Sequence, residues 1–173
     1  MFCGTSLFAQ TITKQAGIEM QTFMPYGDYV RTATVLDNKR LNKQRLEAWQ
    51  VLCALNGKYA ATGAWVNHPA VIMWQGHEQS LIEYGLEMCR EWSSRGGKDD
   101  ADLFGRFNDA WVEYQDKPWW VNYEPLNLSH QSNLVRKDPT HYDFNVPNDF
   151  PYLWPKPDGT FKWGEPPKVI QNV

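Results

Sequence analysis

"LDNKRLNKQRLEAWQVLCALNG", residues 36–57, carries the strongest periodic signal in the chain. Leu41, Ala48, Leu52 and Leu55 fall at i, i+7, i+11 and i+14, which is one apolar stripe of an α-helix. Asn56-Gly57 supplies the left-handed stop, so the spacing predicts a helix from about Leu36 to Leu55. Arg40, Lys43, Gln44 and Glu47, at i, i+3, i+4 and i+7, share a second face. Glu47 thus follows four cations: Lys39, Arg40, Lys43 and Arg45. The plain reading is a solvated face with one Lys43–Glu47 pair contributing about 0.3 kcal/mol. The sharper reading is a phosphate-facing surface with one carboxylate placed for chemistry. Charge distribution bears on the choice. Asp37 to Lys58 hold five cations and two anions, whereas residues 98–124 hold three and seven. The net charge of -3 therefore conceals a basic face.

Outward from this helix the pattern stays helical. "NHPAV" opens a second helix: Asn67 or His68 can cap it and Pro69 suits its first turn. Its stripe reads Trp74, Leu81, Gly85, Met88 and Trp92, and it ends at "SSRGG". Leu103, Phe107, Trp111 and Tyr114 mark a third amphipathic segment within residues 101–115. "SHQSNLVRK" gives a shorter fourth helix, with Ser129 as N-cap and an end before Pro139. Residues 146–173 are rich in Pro and Trp, with Asp158-Gly159 as a turn signal. They read as an extended tail with a small hairpin that packs Trp154, Phe161 and Trp163 on the helices. Residues 1–19 are Thr/Gln/Gly-rich without periodicity and read as a leader or upstream extension, with Met20 a candidate start. The expected architecture is a mainly α, compact single-domain helical bundle over 20–145 with that extended tail.

The 173 residues, 14% of them aromatic, suffice for one domain with a real core. Three cysteines without a CxxC make a disulfide framework or zinc ribbon improbable and point to a reducing cytoplasm. No apolar run reaches the roughly 18 residues of a membrane span. "HEQSL" at His77 begins like a zinc-protease motif but has Leu81 where a second His is required. His130 and His141 lack ligand-like spacing to any Cys, so no metal is expected. Phosphate-loop, dinucleotide and serine-hydrolase motifs do not occur.

The ordered series "RLNKQRLEAWQVLCALNGK", "NHPAVIMWQGHEQSLIEYGLEMCREWSSRGG" and "SHQSNLVRKDPTHY" resembles the pyrimidine dimer DNA glycosylases of the endonuclease V type, in a bacterial and phage branch. The resemblance covers about residues 20 to 145. It implies a compact helical enzyme that flips a nucleotide out of double-stranded DNA and attacks the sugar C1′ of a damaged pyrimidine with an N-terminal α-amine. The resulting imine permits strand cleavage by β-elimination. It places Glu47 at the family's assisting glutamate, and Gln44 and Arg45 at the polar residues before it. His68 falls at the family's helix-start histidine, Lys58 follows the first helix, and His130, Arg136 and Lys137 lie in the late helix. Lys39, Arg40 and Lys43 would flank the phosphates. The protein is expected to act as a monomer, with no cofactor and no membrane.

The amine is supplied by Met20 or Gln21 if the chain starts there. An α-amine, with pKa about 7.7–8.0 against about 10.4 for Lys, is several hundred times more often neutral at pH 7. With residues 1–19 attached, the amine is displaced, and a water-using glycosylase, or Lys39 or Lys43 as nucleophile, takes its place. Two other readings stay open: a non-catalytic DNA-binding or protein-interaction module on the same scaffold, and an enzyme acting on a modified nucleotide.

Overall fold

The computed structural model describes residues 20–63 and 65–163. The leader expected at 1–19 and the end of the tail lie outside them. Six helices and one two-stranded sheet occur among the described residues: α1 Tyr29–Val35, α2 Asn38–Leu55, α3 Pro69–Trp74, α4 Glu78–Ser94, α5 Leu103–Asp109, α6 Glu124–Lys137, β1 Leu153–Pro155 and β2 Phe161–Trp163. The fold is mainly α, as the periodicity predicts.

α2 follows its sequence signals closely. Asp37 is its N-cap and accepts a hydrogen bond from the Arg40 main chain, and Asn56 closes it with Gly57 at φ 79°. Leu41, Ala48, Val51 and Leu52 are buried against α4, which presents Leu81, Ile82, Tyr84, Met88 and Cys89. α1 packs on α4, α5 on α4 and α2, and α3 on α2. The N-terminal segment, residues 20–24, has no regular secondary structure and is buried throughout.

Three expectations need correction. The second helix is two helices, because Gly76 at φ 77° breaks it between Trp74 and Glu78. The stripe continues in phase across the break, which hides it. The third helix stops at Asp109 instead of reaching residue 115. The Val112 N–H, which a longer helix would direct at its own i-4 carbonyl, donates instead to Gln79 Oε1 of α4. Trp111 and Tyr114 consequently stand exposed, not in the core. The fourth helix begins at Glu124, so Ser129 lies in mid-helix. Its Oγ donates to Pro151 O at 2.7 Å and accepts from Leu153 N at 2.7 Å, which fastens the tail to α6. The tail forms the small hairpin, with Trp154 opposite Lys162 and Gly159 at φ 80° in the turn. Trp154 is buried and Phe161 stacks on Tyr123. The Trp163 side chain lies outside the description. α1 was not foreseen. Its sequence YVRTATV is rich in β-branched residues, and its Asp28 cap plus burial of Tyr29, Thr32 and Ala33 override that preference.

Gly85 marks a close contact between α4 and α5. A Cβ there would come 2.3 Å from Phe107 Cζ, and Phe107 is wholly buried edge-on to Trp49. Gly85→Ala is therefore expected to lower stability by about 2 kcal/mol despite alanine's better helix propensity. A thermal melt checks this; an unchanged or higher Tm would show that α5 yields without cost.

Candidate active site

The Met20–Met24 segment forms one wall of the site, and its main chain is held by side chains. The Phe23 N–H donates to Gln44 Oε1 at 2.8 Å, and the Tyr84 hydroxyl lies 3.0 Å from Phe23 O. The Met24 N–H donates to His130 Nδ1 at 2.8 Å. Thr22 accepts from Trp74 Nε1 at 2.9 Å.

Against this wall stands Glu47, 2% exposed. Its Oε2 accepts from Gln44 Nε2 at 2.9 Å. Its Oε1 lies 3.3 Å from Lys43 Nζ, near enough for an ion pair but off the geometry of a full hydrogen bond. The main-chain N–H of Gln21 also bonds to the carboxylate. Burial pushes the Glu47 carboxyl up to about 7; Lys43, the Gln21 N–H and Gln44 offset this only in part.

Glu47 opens on a cavity of about 240 Å³. Gln21 and Phe23 line one side; Lys39, Arg40, Lys43 and Gln44 of α2 line another; Lys137 closes it from the end of α6. Pockets for drug-sized ligands run to roughly 300–1,000 Å³, so this one is smaller than those. Arg40 is fixed in place by Asp37 at 2.6 Å and Asp138 at 3.7 Å. Burial alone would raise Asp37, but hydrogen bonds from Tyr142 and Arg40 outweigh it and hold the carboxyl down at about 2.

The structure thus gathers Gln21, Lys39, Arg40, Lys43, Gln44, Glu47 and Lys137, with Met20 buried one residue away. It separates the other candidates. Arg45 is 5% exposed and is directed to Asp99, Lys98 O and Asn42, away from the cavity. Arg136 bonds Ser132 Oγ, Asn148 O and Phe150 O, and so holds the tail rather than a phosphate. His130 is wholly buried. Because it accepts the Met24 N–H at Nδ1, its proton sits on Nε2, 3.3 Å from Leu153 O. Burial pushes its pKa down to about 3. It is an internal strut, not a DNA contact. His68 caps α3 by accepting the Ala70 N–H, with its ring between Trp65 and Trp154. Lys58 is exposed beyond the far end of α2, whose last residue, Leu55, is already about 12 Å along the helix from Glu47. Gln44 has no exposed surface and serves the site from inside. Sequence reasoning missed Tyr84 and Tyr142, which read as ordinary core aromatics. It also missed the Asp37–Arg40 pairing, for which the i, i+3 spacing was the available signal.

Among the described residues no group of three His, Cys, Asp or Glu side chains converges as a metal site, and no helix is long and apolar enough to cross a membrane.

The site is thus a cavity in a helical domain where one buried carboxyl, its pKa pushed up to about 7, faces four cations. Residues 20–104 match the family model described as pyrimidine dimer DNA glycosylase. This match supports the resemblance to that family over the segment it covers. The match spans the Met20–Met24 wall, α2 and α4, and ends within α5. No curated protein and no solved structure matches the chain. At family level the match supports a pyrimidine dimer DNA glycosylase function, which implies a DNA substrate.

Proposed function

We propose that the protein excises a damaged or modified pyrimidine from double-stranded DNA by flipping the nucleotide and admitting its sugar to the cavity beside Glu47. The observation that carries this reading is Glu47 itself: a carboxyl buried in a cavity of cations, with its pKa near 7. Lys39, Arg40, Lys43 and Lys137 hold the phosphates that border the flipped nucleotide. As carboxylate, Glu47 stabilises the positive charge that develops on the sugar as the C1′–N bond breaks. If an amine has attacked C1′ to form an imine, Glu47 then takes the C2′ proton, and the C3′–O bond electrons leave with the 3′ phosphate.

The Gln21 nitrogen is the best-placed amine, because as an amide it already bonds to Glu47. In a chain beginning at Gln21 that same nitrogen is an α-amine on the catalytic carboxylate. In a chain with residues 1–19 attached it is an amide and not a nucleophile. Water, or Lys43 at 3.3 Å from Glu47, then does the work, and the lyase step weakens or disappears.

Borohydride trapping on duplexes carrying a cyclobutane dimer or an abasic site tests this, with chains starting at Met1, Met20 and Gln21. A covalent adduct confined to the shorter chains is the expected result. Base release without an adduct from every chain supports a glycosylase that uses water. Neither adduct nor base release from any chain, over a broad lesion panel, overturns the glycosylase reading.

A further inference from the structure

The Gln44 amide has one permitted orientation. Its Oε1 lies 2.8 Å from the main-chain nitrogen of Phe23, and an N–H only donates. The same Oε1 lies 2.8 Å from the Tyr84 hydroxyl. Reversing the amide would set two donors against each other at Phe23. Nε2 is therefore the atom 2.9 Å from Glu47 Oε2. An amide NH₂ accepts nothing, so Oε2 must be an acceptor in both protonation states of Glu47. A proton on Glu47 is left with Oε1, the oxygen beside Lys43 that lacks an aligned donor.

We propose that Gln44, locked by the Phe23 N–H and the Tyr84 hydroxyl, is a positioning residue that reserves Oε2 of Glu47 for accepting and makes Oε1 the oxygen that takes up and returns the substrate proton. This rests on the glycosylase reading for its chemistry, but the hydrogen-bond assignment does not. The step balances simply: the proton leaves carbon, its bonding electrons stay with the substrate, and Glu47 passes from carboxylate to neutral acid with O–H at Oε1. The geometry also gives each residue a separate task. Gln44 ties the acid to the Met20–Met24 wall, so that Glu47 and the Gln21 nitrogen move together. The charged and titratable groups facing Glu47 are Lys39, Arg40 and Lys43 from α2, Lys137 from α6 and Tyr84 from α4.

Gln44→Glu is the selective test. It keeps an oxygen for Phe23 and Tyr84 but replaces the donor facing Glu47 by a second acceptor. Two readouts are taken on the full chain: the pH profile of base release, and the Glu47 carboxyl titration by carbon-13 NMR. The titration midpoint is expected to rise by about one unit or more, as for two carboxyls sharing a site, with the acid limb of the pH profile moving alongside. A wild-type midpoint and profile overturn the proposal. A shifted midpoint in a protein inactive on every duplex keeps the positioning and sinks the function. If Gln44→Glu does not fold, Tyr84→Phe removes one lock and no ring volume. A rise of about half a unit in the Glu47 midpoint is then expected, and an unmoved midpoint overturns the proposal.

Discussion

Glu47→Gln is expected to lose base release by about a thousandfold or more while its affinity for an uncleavable duplex stays within about threefold. The loss follows because Gln cannot exchange a proton or carry charge at Oε1. Affinity is expected to be retained because the cations lining the cavity are untouched. The same substitution is expected to stabilise the protein, in a pH-dependent way. The Glu47 carboxyl titrates near 7 when folded and near 4.5 when unfolded, so the folded state holds the proton more tightly. Wild-type stability from this group is therefore fully present below pH 4.5, falls as pH rises from 4.5 to 7, and is flat above that. The gap corresponds to at most roughly 3 kcal/mol, and the Gln variant escapes it. Urea melts at pH 4.5 and pH 8 separate the two effects: little difference at the first, a more stable variant at the second. A variant less stable at pH 8 would mean that the ionised carboxylate is a structural asset rather than a strained functional group. Activity and stability would here be opposed at a single residue.

His130→Ala is expected to cost about 3–5 kcal/mol, the largest single loss of stability proposed for this chain. It orphans the buried Met24 N–H, frees Leu153 O and opens a cavity beneath the Tyr152 and Trp154 rings. The pH dependence has the opposite sense to that of Glu47. His130 stays neutral in the fold down to about pH 3, whereas the unfolded chain protonates near 6.5. Acid therefore favours unfolding, and wild-type stability falls as pH drops from 6.5 towards 3, by roughly 4–5 kcal/mol in all. In the variant this acid-side slope flattens. Chemical denaturation at pH 4, 5, 6 and 7 measures it. A variant that keeps the wild-type slope would assign acid lability to another group.

The two predictions touch opposite ends of the same wall, and they show why parts of this molecule were legible in its sequence and parts were not. α2 was readable because cap, stripe and stop all act within one helix, and the helix packs on the stripe it displays. The shared face of Arg40, Lys43, Gln44 and Glu47 follows from helical spacing alone, whereas the cavity it lines does not. Gln21 and Lys137 came from the resemblance, since nothing local connects them to α2. The Gly76 break was masked because Trp74 and Leu81 keep step across it. Arg45, Arg136 and His130 have the right chemistry for phosphate, but tertiary packing decides whether a cation faces DNA or a carbonyl inside the fold. The Gln44 orientation depends on a main-chain N–H twenty-one residues earlier and a hydroxyl forty residues later, which no window of sequence brings together.

The way residues 23 and 24 are held has a consequence for time rather than energy. Their amides lie in a stretch without regular secondary structure, where solvent deuterium normally enters within seconds to minutes. Here each amide is sealed behind a buried side chain, Gln44 in one case and His130 in the other. Exchange must await an opening that parts the wall from α2 or α6. In a hydrogen-exchange map this irregular strip is therefore expected to be as slow as the middle of α2, and a faster clock at Phe23 alone would report the loosening of Gln44 before any change in fold.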